Sequence, residues 1–134
     1  MSKTECNVLV VDDEFHICTV LRRILVREGY MVKAVSNGNT ALNIIVKNHP
    51  DVILLDLMMP GINGREICSI VRHLSSETRV IYFTAKIETN PSVLKEIEKE
   101  ADGFIRKPAT ARRILNEIDN VLRQSQVRTP ISIG

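Results

Sequence analysis

The run Val52-Ile53-Leu54-Leu55 is apolar, partly β-branched, and stops on a charge, Asp56. An unbroken apolar run of this length reads as a strand covered on both faces, as in a parallel sheet flanked by helices. Such a strand ends in a carboxylate only at a sheet edge or at a site. Leu57-Met58-Met59-Pro60-Gly61 follows, and its Pro-Gly forces a turn that leaves Asp56 at the mouth of the sheet. A second run, Val8-Leu9-Val10-Val11, ends the same way on Asp12-Asp13. If the two strands are parallel, three carboxylates converge at one end of the sheet.

Three carboxylates in one pocket repel each other and stay ionised only where something offsets their charge. A hard divalent cation does so, and an all-oxygen ligand set favours Mg2+ or Mn2+ over zinc. Acids at strand ends are also ordinary surface residues. Two strands that end alike favour a site over that simpler reading.

Strand and helix patterns alternate along the chain. Glu14–Glu28 places Ile17, Val20, Leu21, Ile24 and Leu25 on one helical face, and Gly29 can close that helix in a left-handed conformation. Met31–Val35 is a short strand. Asn37 can cap a second helix with Ala41, Leu42 and Ile45 on its buried face, stopped by His49-Pro50. Asn63, with Glu66 three residues on, predicts a capping box for a third helix that buries Ile67, Ile70, Val71 and Leu74. Arg79–Phe83 is a strand ending at Thr84-Ala85. Pro91 opens a charged fourth helix to about Glu100, thin in apolar residues and expected to be the least firmly packed. Asp102–Arg106 is the last strand, ending at Lys107-Pro108. A fifth helix, about Thr110–Gln124, buries Ile114, Leu115, Ile118, Val121 and Leu122. The periodicity stops at Ser125, and residues 125–134 read as a polar tail or linker.

Strands alternating with helices predict one parallel sheet with helices on both faces. The 134 residues suit a single core. A net charge of +2 and 4% aromatics exclude an obvious nucleic-acid surface, and the Arg22-Arg23 and Arg112-Arg113 pairs read as solvated helix faces. No apolar run is long enough to span a membrane, and the first residues lack the core of a signal peptide. Cys6, Cys18 and Cys68 have no metal-ligand spacing and read as reduced thiols, consistent with a cytoplasmic protein. His16 reads as a helix-surface residue, and His49 and His73 sit near helix ends with no chemical role indicated.

The strand ends thus deliver, in chain order, an acid pair, a lone Asp, a hydroxyl and an ammonium. With Asp12-Asp13, Asp56, Thr84-Ala85, Phe104 and Lys107-Pro108 in register, the chain resembles a response-regulator receiver domain of two-component signalling. The resemblance covers about residues 5–124. It implies a flavodoxin-like (βα)5 fold, a doubly wound five-stranded sheet of order 2-1-3-4-5. It also implies that Asp56 accepts a phosphoryl group from a sensor histidine kinase or histidine phosphotransfer protein. Asp13 and Asp56 would bind Mg2+ directly, Asp12 through water, and the Met58 carbonyl would add a ligand, with Mn2+ able to substitute. Lys107 would pair with Asp56 and then with a phosphoryl oxygen, aimed inward by a cis bond to the Pro108 that follows it. Thr84 and Phe104 would be the switch pair, Phe104 rotating inward and changing the face of helix 4, strand 5 and helix 5. That face would meet a downstream protein target or effector domain. Met58 and Lys86 occupy positions that tune phosphate lifetime in the family.

Two positions depart from the family pattern. Glu100 stands where a glycine often precedes the last strand, which leaves the end of helix 4 open. Gly103 stands where receivers that dimerise ahead of winged-helix domains carry a second acid. That argues for a monomer or a weak phosphorylation-dependent dimer. A haloacid-dehalogenase-like phosphatase also uses a strand-end Asp with Mg2+, but it needs an Asp where Met58 stands. A flavodoxin-like cofactor binder would need a phosphate loop where Asp12-Asp13-Glu14 would repel phosphate. A pseudo-receiver, a pure interaction module, would lack one of the acids, the Thr or the Lys, and none is missing.

Overall fold

The computed structural model describes residues 2–85 and 90–127. After a short 3-10 turn at Lys3–Glu5, the order is β1 (Asn7–Val11), α1 (Phe15–Glu28), β2 (Met31–Val35), α2 (Gly38–Asn48) and β3 (Val52–Leu55). α3 (Gly64–Leu74), β4 (Arg79–Thr84), α4 (Pro91–Glu100), β5 (Gly103–Arg106) and α5 (Ala111–Val127) complete it. The strands are all parallel in the order β2-β1-β3-β4-β5.

The helix boundaries follow their caps. The Asn37 side chain accepts from the Thr40 amide, and Asn63 and Glu66 form the reciprocal capping box. Gly29 closes α1 at φ 110°, a conformation that costs glycine little. Pro91 sits in the first turn of α4.

Period-two alternation divides the sheet residues between two cores. Val8, Val10, Val52, Leu54, Ile81, Phe83 and Ile105 pack with α1 and α5. Leu9, Val11, Ile53, Leu55, Val80 and Tyr82 pack with α2, α3 and α4. All four residues of β3 are buried, as expected of a central strand. In α4 only Ile97 is buried, in line with its sparse apolar face.

Some expected helix faces are rotated. Val20 and Leu74 are 37% and 49% exposed, whereas Cys18 and Cys68 lie in the core. The thiols act as small hydrophobes and move each buried stripe off the position suggested by the larger residues. All three cysteines are buried and unpaired. α5 runs to Val127, past the Gln124 at which apolar periodicity ends. Among the described residues no helix is long and apolar enough to cross a membrane.

Candidate functional site at the carboxyl end of the sheet

β1 and β3 are neighbours, and the order reverses around them. In a doubly wound sheet that reversal opens a crevice beyond the strand ends. Asp12 and Asp13 follow β1, Asp56 follows β3, Thr84 ends β4 and Lys107 follows β5. The ligating atoms of Asp12, Asp13 and Asp56 all lie within 4.8 Å of one another. Asp12 and Asp56 are buried and Asp13 is exposed, so the cluster opens to solvent on one side.

Local turns aim the buried carboxylates. Asp12 Oδ1 accepts from the Glu14 amide at 2.9 Å, and Asp56 Oδ1 accepts from the Met58 amide at 3.1 Å. Each acid thereby satisfies an amide two residues on and keeps its second oxygen available. The Gly64 backbone packs so closely here that a Cβ would lie 2.7 Å from the Asp56 carbonyl oxygen. Only glycine lets α3 start against the acid-bearing loop.

Lys107 reaches the cluster directly after β5 and is followed by a cis bond to Pro108. Its Nζ donates to Asp12 Oδ2 at 2.6 Å, with Asp56 Oδ2 and Glu14 Oε1 each at 3.6 Å. The expected pairing with Asp56 is therefore the longer contact; Asp12 holds the hydrogen bond. The ammonium also lies 5.3 Å from the centre of the Phe83 ring. Burial pushes Asp12 above the ordinary carboxylate value, against the lowering influence of Lys107 and the Glu14 amide. Burial also opposes the charge on Lys107, but the hydrogen bond and charge of Asp12 more than offset it and raise its pKa. Among the described residues, the three carboxylates thus bring more negative charge than buried Lys107 neutralises. An all-carboxylate oxygen set at this spacing fits Mg2+ or Mn2+.

Thr84 is fully buried at the end of β4. Phe104 is half-buried, and its ring meets Tyr82 edge-on at 6.4 Å and 84°. Met58 is 57% exposed beside Asp56. Lys86 lies outside the described residues. His16 is exposed, as expected of a helix-surface residue. Sequence reasoning did not single out Phe83 beneath the ammonium or Gly64 against Asp56. The signal for Gly64 was its position directly after the Asn63 cap.

The chain matches the response regulator receiver domain family over residues 8–119. It is 37% identical over 126 residues to the alkaline phosphatase synthesis transcriptional regulatory protein PhoP of Bacillus subtilis, covering 94% of this chain and 52% of that protein. The chain thus spans about half the length of that curated relative. A CheY-like receiver domain protein from Methanospirillum hungatei superposes with a TM-score of 0.84 at 26% identity, covering 92% of this chain and 98% of the other. The BeF3-activated receiver domain of DrrB, whose fuller structure is from Thermotoga maritima, gives a TM-score of 0.77 at 30% identity, covering 88% and 97%. The fold order, the acid cluster with its lysine and the family match over most of the chain agree: this chain belongs to the response regulator receiver domain family.

Proposed function

We propose that this domain accepts a phosphoryl group on Asp56 from a phosphohistidine of a sensor kinase or phosphotransfer protein. The observation that carries the reading is the convergence of Asp12, Asp13 and Asp56 within 4.8 Å, with Lys107 reaching both buried acids. An Asp56 oxygen attacks phosphorus, the phosphorus–nitrogen bond breaks, and an acyl phosphate forms as the imidazole leaves. A carboxylate meets a phosphoryl group only where both negative charges are offset, and in-line positioning does the rest.

Asp12, Asp13, Asp56 and the Met58 carbonyl would hold Mg2+, with Mn2+ as a substitute. Bound there, the cation supplies charge compensation for the phosphoryl oxygens. Lys107 adds a fixed positive charge from the β5 side. Thr84 would then donate its hydroxyl to a phosphoryl oxygen, and Phe104 would settle further inward. That change remodels the surface of α4, β5 and α5 for a downstream protein target or effector domain. The same reading makes the domain cytoplasmic and a catalyst only of its own phosphorylation and dephosphorylation. Exposed Met58 offers no group to orient water, and with Lys86 it would lengthen the phosphate's life; Met58→Asn should shorten it.

The test is phosphorylation by acetyl phosphate with Mg2+, followed by intact mass. One added phosphoryl group is expected, absent in Asp56→Asn. Equal labelling of that variant overturns the assignment of Asp56.

A further inference from the structure

α4 owes little of its position to its apolar face, since Ile97 is its one buried residue. Among the described residues, its hydrogen bonds to other elements gather on its last residue. The Glu100 carboxylate accepts from Arg65 Nε at 2.9 and 3.1 Å, and Arg65 Nη2 closes the fork. Glu100 Oε1 also accepts from the Tyr82 hydroxyl at 2.9 Å. The Glu100 carbonyl receives Arg72 Nη2 at 3.1 Å and Cys68 Sγ at 3.5 Å. One residue thus ties α4 to α3 and to β4. A glycine here would keep the backbone contacts and lose the carboxylate.

Both side-chain partners lead elsewhere. Arg65 directly follows Gly64, whose backbone packs against the Asp56 carbonyl. Tyr82 is fully buried, and its ring supports Phe104 edge-on across the β4–β5 register. From Asp56 the contacts run through Gly64, Arg65, Glu100 and Tyr82 to Phe104. This route leaves the acid-bearing loop by α3 and does not use Thr84.

We infer that Glu100 is a positioning residue that couples the Asp56 loop to α4 and Phe104 and holds them in the unphosphorylated arrangement. The inference rests on the phosphoryl-acceptor reading and adds a regulatory element to it. Because coupling between two sites is reciprocal, loosening the far end changes how readily Asp56 is phosphorylated. The state a contact stabilises is the state its removal depopulates. Breaking the carboxylate's hydrogen bonds therefore favours the phosphorylated arrangement before any phosphate is present.

The test compares wild type, Glu100→Gln, Glu100→Gly, Tyr82→Phe and Arg65→Met. It measures the initial rate of phosphorylation by acetyl phosphate at saturating Mg2+, and amide exchange in α4 without donor. Glu100→Gly should raise the phosphorylation rate about two- to fivefold, the ratio that a population shift of one net hydrogen bond produces. Glu100→Gln, which keeps an acceptor for Tyr82, should fall between it and wild type. Tyr82→Phe combined with Glu100→Gly should add nothing further, as members of one network do not act independently. Exchange in α4 should quicken in step with the rate. A merely structural role would quicken exchange without raising the rate. Variant rates equal to or below that of a labelled wild type, with the fold intact, overturn the inference alone. A wild type that takes no label on Asp56 overturns the acceptor reading and the inference with it.

Discussion

Lys107 Nζ lies 2.6 Å from Asp12 Oδ2 and 3.6 Å from Asp56 Oδ2. The lysine is committed to the more deeply buried of the two acids, which leaves the Asp56 oxygen the more accessible to an incoming group. Replacing Lys107 with Met strands Asp12 as a buried charge without its partner. Loss of one member of a buried pair costs about 3 kcal/mol, so the urea midpoint in EDTA should fall accordingly. Adding Asp12→Asn should recover most of the loss. Equal midpoints for wild type and Lys107→Met would show that the pair does not offset the cluster's charge.

Mutual repulsion of Asp12, Asp13 and Asp56 predicts a fold that is more stable with a cation than without. Millimolar Mg2+ should raise Tm, and an excess of about 100 times Kd corresponds to ~2.7 kcal/mol. In EDTA, Asp13→Asn should stabilise by up to about 1 kcal/mol, since Asp13 is exposed and its repulsion is screened. The same variant should lose most of the Mg2+ increment. A wild-type Tm indifferent to Mg2+ would argue against a cation site.

Gly64→Ala places a Cβ 2.7 Å from the Asp56 carbonyl oxygen and 2.9 Å from Leu57 Cα. Both are backbone atoms, so α3 or the acid-bearing loop has to shift. The expected cost is about 1–3 kcal/mol of stability, with slower phosphorylation of whatever folds. Unchanged stability together with unchanged labelling would show that the close approach has no consequence.

Arg79 carries a charge into the sheet with poor compensation. Its side chain is 7% exposed, its Nη1 is 3.7 Å from Asp102, and Nε and Nη1 have no hydrogen-bond partner among the described residues. Asp102 keeps Arg72 at 3.0 Å and the Val80 amide at 2.9 Å. Arg79→Met should therefore be neutral or stabilising, by roughly 1 kcal/mol. A clear fall in Tm would show that the longer pairing stabilises the fold.

The hydrogen bonds from Arg65, opposed by partial burial and assisted by Tyr82, hold the Glu100 carboxyl below its ordinary 4.5. A carboxyl lowered on folding contributes stability above its unfolded value and loses it as pH falls through the folded one. The acid limb of the stability curve should thus flatten below about pH 4.5 in Glu100→Gln, as read by urea midpoints. Superimposable acid limbs would show that the pairing is too screened to matter.

Much of this protein was determined by near neighbours in the chain. The β-branched runs, the caps at Asn37, Asn63 and Gly29, and Pro91 act over a few residues, so strand and helix order was legible directly. Alternation of strands and helices makes the sheet parallel, and a parallel sheet puts Asp12, Asp13, Asp56, Thr84 and Lys107 at one end. What tertiary structure decided was which partners those groups take. Lys107 reaches Asp12 across 95 residues, and Arg65 reaches Glu100 across 35. Differences of about an ångström between competing oxygens settle such choices, and no local pattern encodes them. The same holds for Cys18 and Cys68, whose burial depends on how each helix rotates against the sheet. The sequence left the end of α4 open at Glu100; its partners lie on two other elements, and only their packing together gives the residue a role.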